Sequence, residues 1–233
     1  NEIKALQERV AALPLELLKP QVVNSGQSEH YVDTAILYIY LYSLPGYVDT
    51  IDQRRLQRYV ATVHRMIYGA VGFYGGHLEV VRQFGLAVYF DGDHKVGSPA
   101  LRAASCAWLI AQAAPELESP LRLSVNLSLA VGGSELGRGD AKDIYPGLYT
   151  QSAIDELADL ANRQRQGIAL SDFVAHDIDL STRVQIDQTE AGVAQLGNLA
   201  DGHRDLLERQ LQLLIKAVLG HSAESAEDPD DTP

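Results

Sequence analysis

The stretch Thr34–Ser43 (TAILYIYLYS) constrains this chain more than any other part of it. Its residues are apolar or aromatic almost without a break. Such a run predicts a strand buried on both faces, as at the centre of a sheet. Leu44-Pro45-Gly46 then turns the chain, and Asp49 or Thr50 is placed to cap a helix. That helix carries Leu56, Tyr59, Val60, Val63, Met66, Ile67 and Ala70 on one stripe at intervals of three and four. Gly69, Gly72, Gly75 and Gly76 bring it to an end.

Two short strands, His77–Gln83 and Gly85–Asp91, meet with almost no loop and predict a hairpin. Ser98-Pro99 opens a second helix, Ala100–Ala114, with serine as cap and proline in the first turn. Leu121–Val131 alternates apolar and polar residues and predicts a strand with one lightly covered face. The order strand, helix, strand, strand, helix, strand is the ferredoxin-like βαββαβ order. The expected fold class is therefore α+β, a ferredoxin-like sheet with helices on one face. A helix (Thr150–Arg163), a strand (Gly167–Ser171), a β segment (Asp177–Ile186) and a last helix (about Leu199–Leu219) follow.

Upstream, Ile3, Leu6, Val10, Leu13 and Leu17 recur at spacings of three and four, a coiled-coil seam that Pro14 interrupts. Residues 1–18 read either as the tail of a signalling helix that pairs two chains or as an amphipathic helix packed on its own domain. Residues 19–31 read as a linker, 32–220 as the domain, and 221–233 as an acidic, disordered tail. The tail holds Glu224, Glu227, Asp228, Asp230 and Asp231 and no base, within a chain of 233 residues whose net charge is −12. That balance argues against sequence-independent binding of nucleic acid. A single cysteine, Cys106, excludes an internal disulfide and a multi-cysteine zinc site, and its apolar surroundings read as a buried, inert thiol. No apolar run reaches the length of a membrane span. The chain opens Asn1-Glu2-Ile3 without an initiator Met, which reads as a fragment or processed product, so a membrane anchor upstream stays open.

The element order, with Gly75-Gly76 before a tight hairpin, resembles the catalytic domain of class III nucleotidyl cyclases, the adenylate and guanylate cyclase family. The resemblance spans about Thr34–Ser171. The family's first strand ends in Phe-x-Asp-[Ile/Val]-x-Gly-Phe-Thr. Here the stretch is Leu41-Tyr42-Ser43-Leu44-Pro45-Gly46-Tyr47-Val48, which keeps the Gly-aromatic pair and puts the metal-binding Asp on Ser43. The family's Gly-Asp-Gly hairpin corresponds to Gln83-Phe84-Gly85, which puts the second metal Asp on Phe84. Gly167-Ile168-Ala169-Leu170-Ser171 resembles the family's Gly-Ile-x-Val-Ser strand. Counting back from it puts the Asn-x-x-x-Arg pair on Ile154 and Ala158, and the base-recognising Lys falls near Val80. A related frame, the diguanylate cyclases, needs Gly-Gly-[Asp/Glu]-Glu-Phe, which Gly75-Gly76-His77-Leu78-Glu79 does not supply.

The family's chemistry uses carboxylates to hold Mg²⁺ ions that activate a hydroxyl and neutralise a triphosphate, and an arginine to stabilise charge at phosphorus. With Ser43, Phe84, Ile154 and Ala158 in those places, the resemblance implies a degenerate member with no metal, no cofactor and no turnover. It also implies a homodimer, since family domains pair through the sheet side that holds the active site. Ile36, Tyr38, Tyr40 and Tyr42 share one strand face and read either as core or as such a dimer face. Ile3, Leu6 and Val10 are further candidate dimer contacts.

Arg54, Arg58 and Arg65 fall near one face of the first helix, read either as a solvated face or as a docking patch for an acidic partner, a headgroup or the chain's own tail. Asp91-Gly92-Asp93-His94 reads as a solvated loop, and Gly132–Gly139 lacks the Gly-Lys-[Ser/Thr] of a phosphate loop. The scattered histidines predict no metal site. The expected function is thus a non-catalytic, cyclase-like regulatory domain that dimerises and relays a signal to or from an upstream segment. Its expected place is the cytoplasm, as the soluble part of a membrane-anchored protein. Two alternatives stand beside it. One is a divergent nucleotide-binding or cyclase enzyme using Asp91, Asp93 or Asp140. The other is a protein-binding scaffold using the tail and Leu206, Leu207, Leu214 and Val218 of the last helix.

Overall fold

The computed structural model describes residues 34–82, 84–92, 94–134 and 144–224. The candidate dimer contacts Ile3, Leu6 and Val10, the linker and most of the acidic tail lie outside the described residues. The elements run β1 (Thr34–Leu41), α1 (Leu44–Thr50), α2 (Gln53–Tyr74), β2 (His77–Arg82), β3 (Gly85–Asp91), α3 (Pro99–Leu121), β4 (Leu127–Ser134), α4 (Ile144–Arg163), β5 (Ile168–Leu170), α5 (Asp172–Ala175), α6 (Ile178–Ser181), β6 (Val184–Gln188), β7 (Ala194–Leu199) and α7 (Asp201–Glu224). Among the described residues, no helix is long and apolar enough to cross a membrane.

One seven-stranded sheet has the order β2-β3-β1-β4-β5-β7-β6. Its first four strands are antiparallel throughout, with Tyr38 paired to Ala87 on one side and Ala130 on the other. This is the βαββαβ sheet that the sequence predicts. β5 adds in parallel to β4, and the β6–β7 hairpin extends the sheet beyond it. β1 therefore lies inside the sheet with its residues almost wholly buried, which accounts for its unbroken apolar sequence.

The period of two along β1 splits the core. Ala35, Leu37 and Ile39 face a large apolar cluster with α2, α3 and α7, in which Val63, Met66, Ile67, Leu109, Ile110, Leu207, Leu214 and Val218 are buried. Ile36 and Tyr38 face a second cluster, built with Ala130, Ala169 and the α4 residues Ile154, Leu157, Ala158 and Ala161. The expectation of helices on one face is thus corrected: α4 covers the other face. Small residues make this possible. A Cβ on Gly132 would stand 2.7 Å from Leu157 Cδ2, so the bare backbone of β4 admits the helix.

Several element boundaries also differ from expectation: β1 stops at Leu41 instead of Ser43, α4 starts at Ile144 instead of Thr150, and β7 stands where the pattern predicts no strand. The cap of α2 is Asp52, whose carboxylate accepts from the Arg55 N–H at 3.0 Å, because Asp49 and Thr50 are taken up by α1. α3 continues through Pro115 to Leu121, where Arg122 closes it in the left-handed conformation (φ 53°). The alternating Leu121–Asn126 is therefore the end of a helix and a bend, and the strand starts at Leu127. In Asp177–Ile186, the Asp177 carboxylate accepts from the Leu180 N–H at 2.7 Å and turns the chain into α6, so the strand begins only at Val184.

Two polar clamps lock these layers. Arg102, the only charged side chain in the apolar front half of α3, is 1% exposed. Its guanidinium donates to the carbonyls of Tyr74 (3.2 Å), Asp91 (2.7 Å) and Gly92 (2.7 Å), joining the ends of α2 and β3. The Ser98 hydroxyl accepts from Leu101 N–H as the cap of α3 and donates to Asp177 at 2.9 Å, while Ser98 N–H donates to Asp179 at 2.8 Å. The segment carrying α5 and α6 is held onto α3 in this way.

Candidate functional site

The C-terminal end of β1 and the tip of the β2–β3 hairpin meet at one end of the sheet. The Leu41 N–H donates to the carbonyl of Phe84 at 2.9 Å, and Tyr40 pairs with Gly85. Ser43, two residues beyond Leu41, and Phe84 therefore lie at the same end of the sheet. Both are uncharged. The Ser43 hydroxyl accepts from the Asn126 N–H at 2.9 Å, which ties the start of α1 to the entry of β4. Phe84 turns the hairpin with φ 61°, a conformation that a bulky residue adopts only under constraint, and its half-buried ring packs on the main core.

Around this end, aromatic side chains fill the space. The Tyr47 hydroxyl donates to the Ser124 carbonyl at 3.0 Å, and its ring meets Tyr59 edge-on at 5.2 Å. Burial pushes the Tyr59 hydroxyl up to about 12, so it stays protonated across the physiological range. Among the described residues, no three His, Cys, Asp or Glu side chains stand close enough together to hold a metal ion. The acids of the alternative reading are elsewhere. Asp91 sits at the far end of β3, paired to Thr34 and accepting from the Thr34 hydroxyl at 2.6 Å, while Asp93 and Asp140 lie outside the described residues.

Ile154 and Ala158 lie one turn apart on α4 and are buried in the second core against the sheet. They pack on the α4 side of the sheet, whereas Phe84 packs on the other cluster, and neither carries a group that can hydrogen-bond or supply charge to a ligand. Val80 on β2 is highly exposed. Of the tyrosine stripe, Tyr38 is buried in the second core, Tyr40 is half-buried at its margin, and Tyr42 is exposed. The Arg165 guanidinium lies over the Tyr42 ring, 4.5 Å from its centre, and donates to its hydroxyl. These two residues border an open cavity of about 430 Å³, together with Ala111, Pro115, Asn126 and Ser128.

Arg54 and Arg58 are exposed on α2, on the opposite side of the sheet from α4, and Arg65 is half-buried and donates to the Thr62 hydroxyl at 3.3 Å. Leu207, Leu214 and Val218 are core residues, whereas Leu206 remains partly exposed. Cys106 is wholly buried, and burial pushes its thiol far up, which fits an inert role. The clamp residue Arg102 had a visible signal, a single charge in an apolar helix. Arg165 had none, since it stands in the polar run Arg163-Gln164-Arg165-Gln166.

No known family profile matches the chain, and no curated protein sequence matches it. Solved structures do. The fold is similar to that of the guanylyl cyclase Cya2, with a TM-score of 0.55 and 12% identity over 72% of this chain and 93% of that one. It is similar to a class III adenylyl cyclase-like ATP-binding protein from Pseudomonas aeruginosa, with a TM-score of 0.54 and 12% identity, over 81% of this chain but only 43% of that one. It is also similar to the guanylyl cyclase domain of the RhoGC fusion protein from the aquatic fungus Blastocladiella emersonii, described as a non-canonical dimer in one structure (TM-score 0.56, 11% identity, over 73% and 96%) and as a monomer in another (TM-score 0.57, 9% identity, over 73% and 97%). The chain has the fold of a class III cyclase domain.

Proposed function

We propose that this chain, built on the class III cyclase-domain fold, is a non-catalytic regulatory domain that pairs with a second copy and relays a signal to or from the segment carrying residues 1–18. The observation that carries this reading is the meeting of Ser43 and Phe84 at one sheet end. In the family that the sequence resembles, two carboxylates hold divalent ions at that place. Here one side chain is a hydroxyl engaged by the Asn126 N–H, and the other is an apolar ring on the core. Neither supplies a carboxylate, the group by which protein sites usually anchor Mg²⁺ among its waters. The burial of Ile154 and Ala158 supports the same reading, because the helix that would supply the transition-state side chains supplies packing instead.

Pairing is supported by the likeness to a dimeric cyclase domain and by the exposed Tyr42 at the end of the tyrosine stripe. The test is direct. The purified chain with ATP or GTP and Mn²⁺ is expected to form no cyclic nucleotide, and sedimentation is expected to show a dimer. Turnover that disappears on changing an acid of this chain refutes the reading, as does a chain that stays monomeric at every attainable concentration.

A second reading, nucleotide binding without turnover, is favoured by the likeness to a cyclase-like protein described as ATP-binding. It differs from the first in predicting nucleotide affinity.

A further inference from the structure

The helix α2 carries Arg54, Arg55, Arg58 and Arg65 and not one acidic residue in its 22 positions, within a chain whose net charge is −12. Arg54, Arg55 and Arg58 are exposed, and none of the three has an ion pair among the described residues. Asp49 and Asp52 stand nearby, but the Asp52 carboxylate is engaged as the cap. Arg54 and Arg55 moreover occupy the first turn of the helix, where the backbone dipole is itself positive, so like charge accumulates there. A concentration of uncompensated cation on an acidic protein favours an anionic partner.

The packing of α7 on α2 says which anion is nearest. The two helices run antiparallel. The Tyr74 hydroxyl donates to Gln210, and little more than a turn along, Leu214 presses against Gly69, where a Cβ would stand only 2.6 Å from Leu214 Cδ1. The antiparallel run points the C-terminal half of α7 towards the N-terminal half of α2. The sequence that follows α7 is Ser225-Ala226-Glu227-Asp228-Pro229-Asp230-Asp231-Thr232-Pro233, with four acidic side chains and no base. Chain direction and charge thus agree: α7 runs towards the end of α2 that bears the arginines, and the acidic sequence follows it.

We propose that residues 225–233 dock along the Arg58–Arg54 face of α2, Glu227 and Asp228 nearest Arg58 and Asp230 and Asp231 towards Arg54 and Arg55. A segment tethered this close is present at a high effective concentration, so contacts that are weak singly hold it in place. It occupies the patch against other acidic partners, and its release exposes the patch.

The lone native cysteine, Cys106, is buried, which makes engineered cysteine pairs clean reporters. Ala61 on the exposed side of α2 and Ala226 in the tail can be changed without removing any charge, and so can Asn162, exposed near the end of α4 on the other face of the sheet. In the intact chain, Ala61→Cys with Ala226→Cys is expected to form a disulfide about tenfold faster than Asn162→Cys with Ala226→Cys. The advantage is expected to fall to within about twofold in roughly 0.5 M salt, where exposed charges are screened, and equally when Arg54 and Arg58 are both changed to Gln. Equal rates for the two pairs overturn the proposal, as does an advantage that survives both salt and the arginine changes. So does binding to phosphatidylserine vesicles that needs Arg54 and Arg58 but is unchanged by removing residues 225–233, because a lipid surface then owns the patch.

Discussion

The Leu41 N–H donates to the Phe84 carbonyl at 2.9 Å, and this bond carries the β1–β3 ladder on to the hairpin tip. Two positions that the sequence resemblance pairs, Ser43 and Phe84, thereby lie at the same end of the sheet. The function proposed above takes this end of the sheet as the place of a two-carboxylate site whose acids are lost.

Restoring the carboxylates should therefore restore cation affinity. The double variant Ser43→Asp, Phe84→Asp is expected to bind Mn²⁺ with a dissociation constant of about 1 mM or below. Aspartate tolerates the left-handed conformation at the tip better than phenylalanine does, so the hairpin is expected to form. Calorimetric titration of both proteins checks this. Equal Mn²⁺ binding by the unaltered chain contradicts it.

At the second core, the account assigns Ile154 to packing. Ile154→Asn is expected to destabilise the domain by about 3 kcal/mol, since it removes buried apolar surface and buries an amide without partners. The midpoint of urea unfolding reports the loss. A neutral substitution there would show that α4 leaves the sheet readily, and that the face is open.

Arg102 holds three carbonyls from two elements. Arg102→Ala is expected to cost about 3–5 kcal/mol, because those carbonyls lose their donors and a cavity remains. Arg102→Lys is expected to recover only part of this, since an ammonium group cannot reproduce the fork. Denaturant unfolding of the three proteins gives the ranking.

His203, bonded to the Ser105 hydroxyl at 3.1 Å, is held below its ordinary 6.5 by burial and secondarily by Arg183, with Asp179 opposing. The folded chain then binds fewer protons at this site than the unfolded chain does. Stability is accordingly complete above pH 6.5 and falls as pH drops below it. Unfolding measured between about pH 7.5 and pH 5.5 is expected to show this slope, and His203→Gln is expected to flatten it. An identical slope in the variant contradicts the assignment.

Much of the fold was legible in local pattern. The uninterrupted β1, the stripe of α2, and the Gly75-Gly76 turn before the hairpin each follow from one period and one breaker, and the structure keeps them, except that β1 stops at Leu41 and Val60 on the stripe is exposed. What failed to show locally was anything set by a distant partner. The sequence of α4 is amphipathic in the ordinary way, and only the small residues Ala130, Gly132 and Ala169 on other strands admit it to the second face. Pro115 reads as a stop for α3, yet the helix passes through it. Ala111, whose carbonyl loses its usual donor there, sits at the margin of the core and borders the open cavity beside Pro115. Leu121–Val131 has a strand's alternation, but its first half is claimed by the helix end and by Arg122 in the left-handed region. Of the site, Ser43 and Phe84 were readable as positions. That Ser43 is engaged by Asn126, and that Arg165 covers Tyr42, depends on chain crossings that no spacing encodes.

The most direct measurement is calorimetric titration of the purified chain with non-hydrolysable ATP and GTP analogues in Mg²⁺ and in Mn²⁺. The account predicts no heat of binding up to millimolar nucleotide, because no carboxylate pair holds the metal that would hold the triphosphate. Micromolar, metal-dependent binding would contradict it and return the domain to the nucleotide-binding reading.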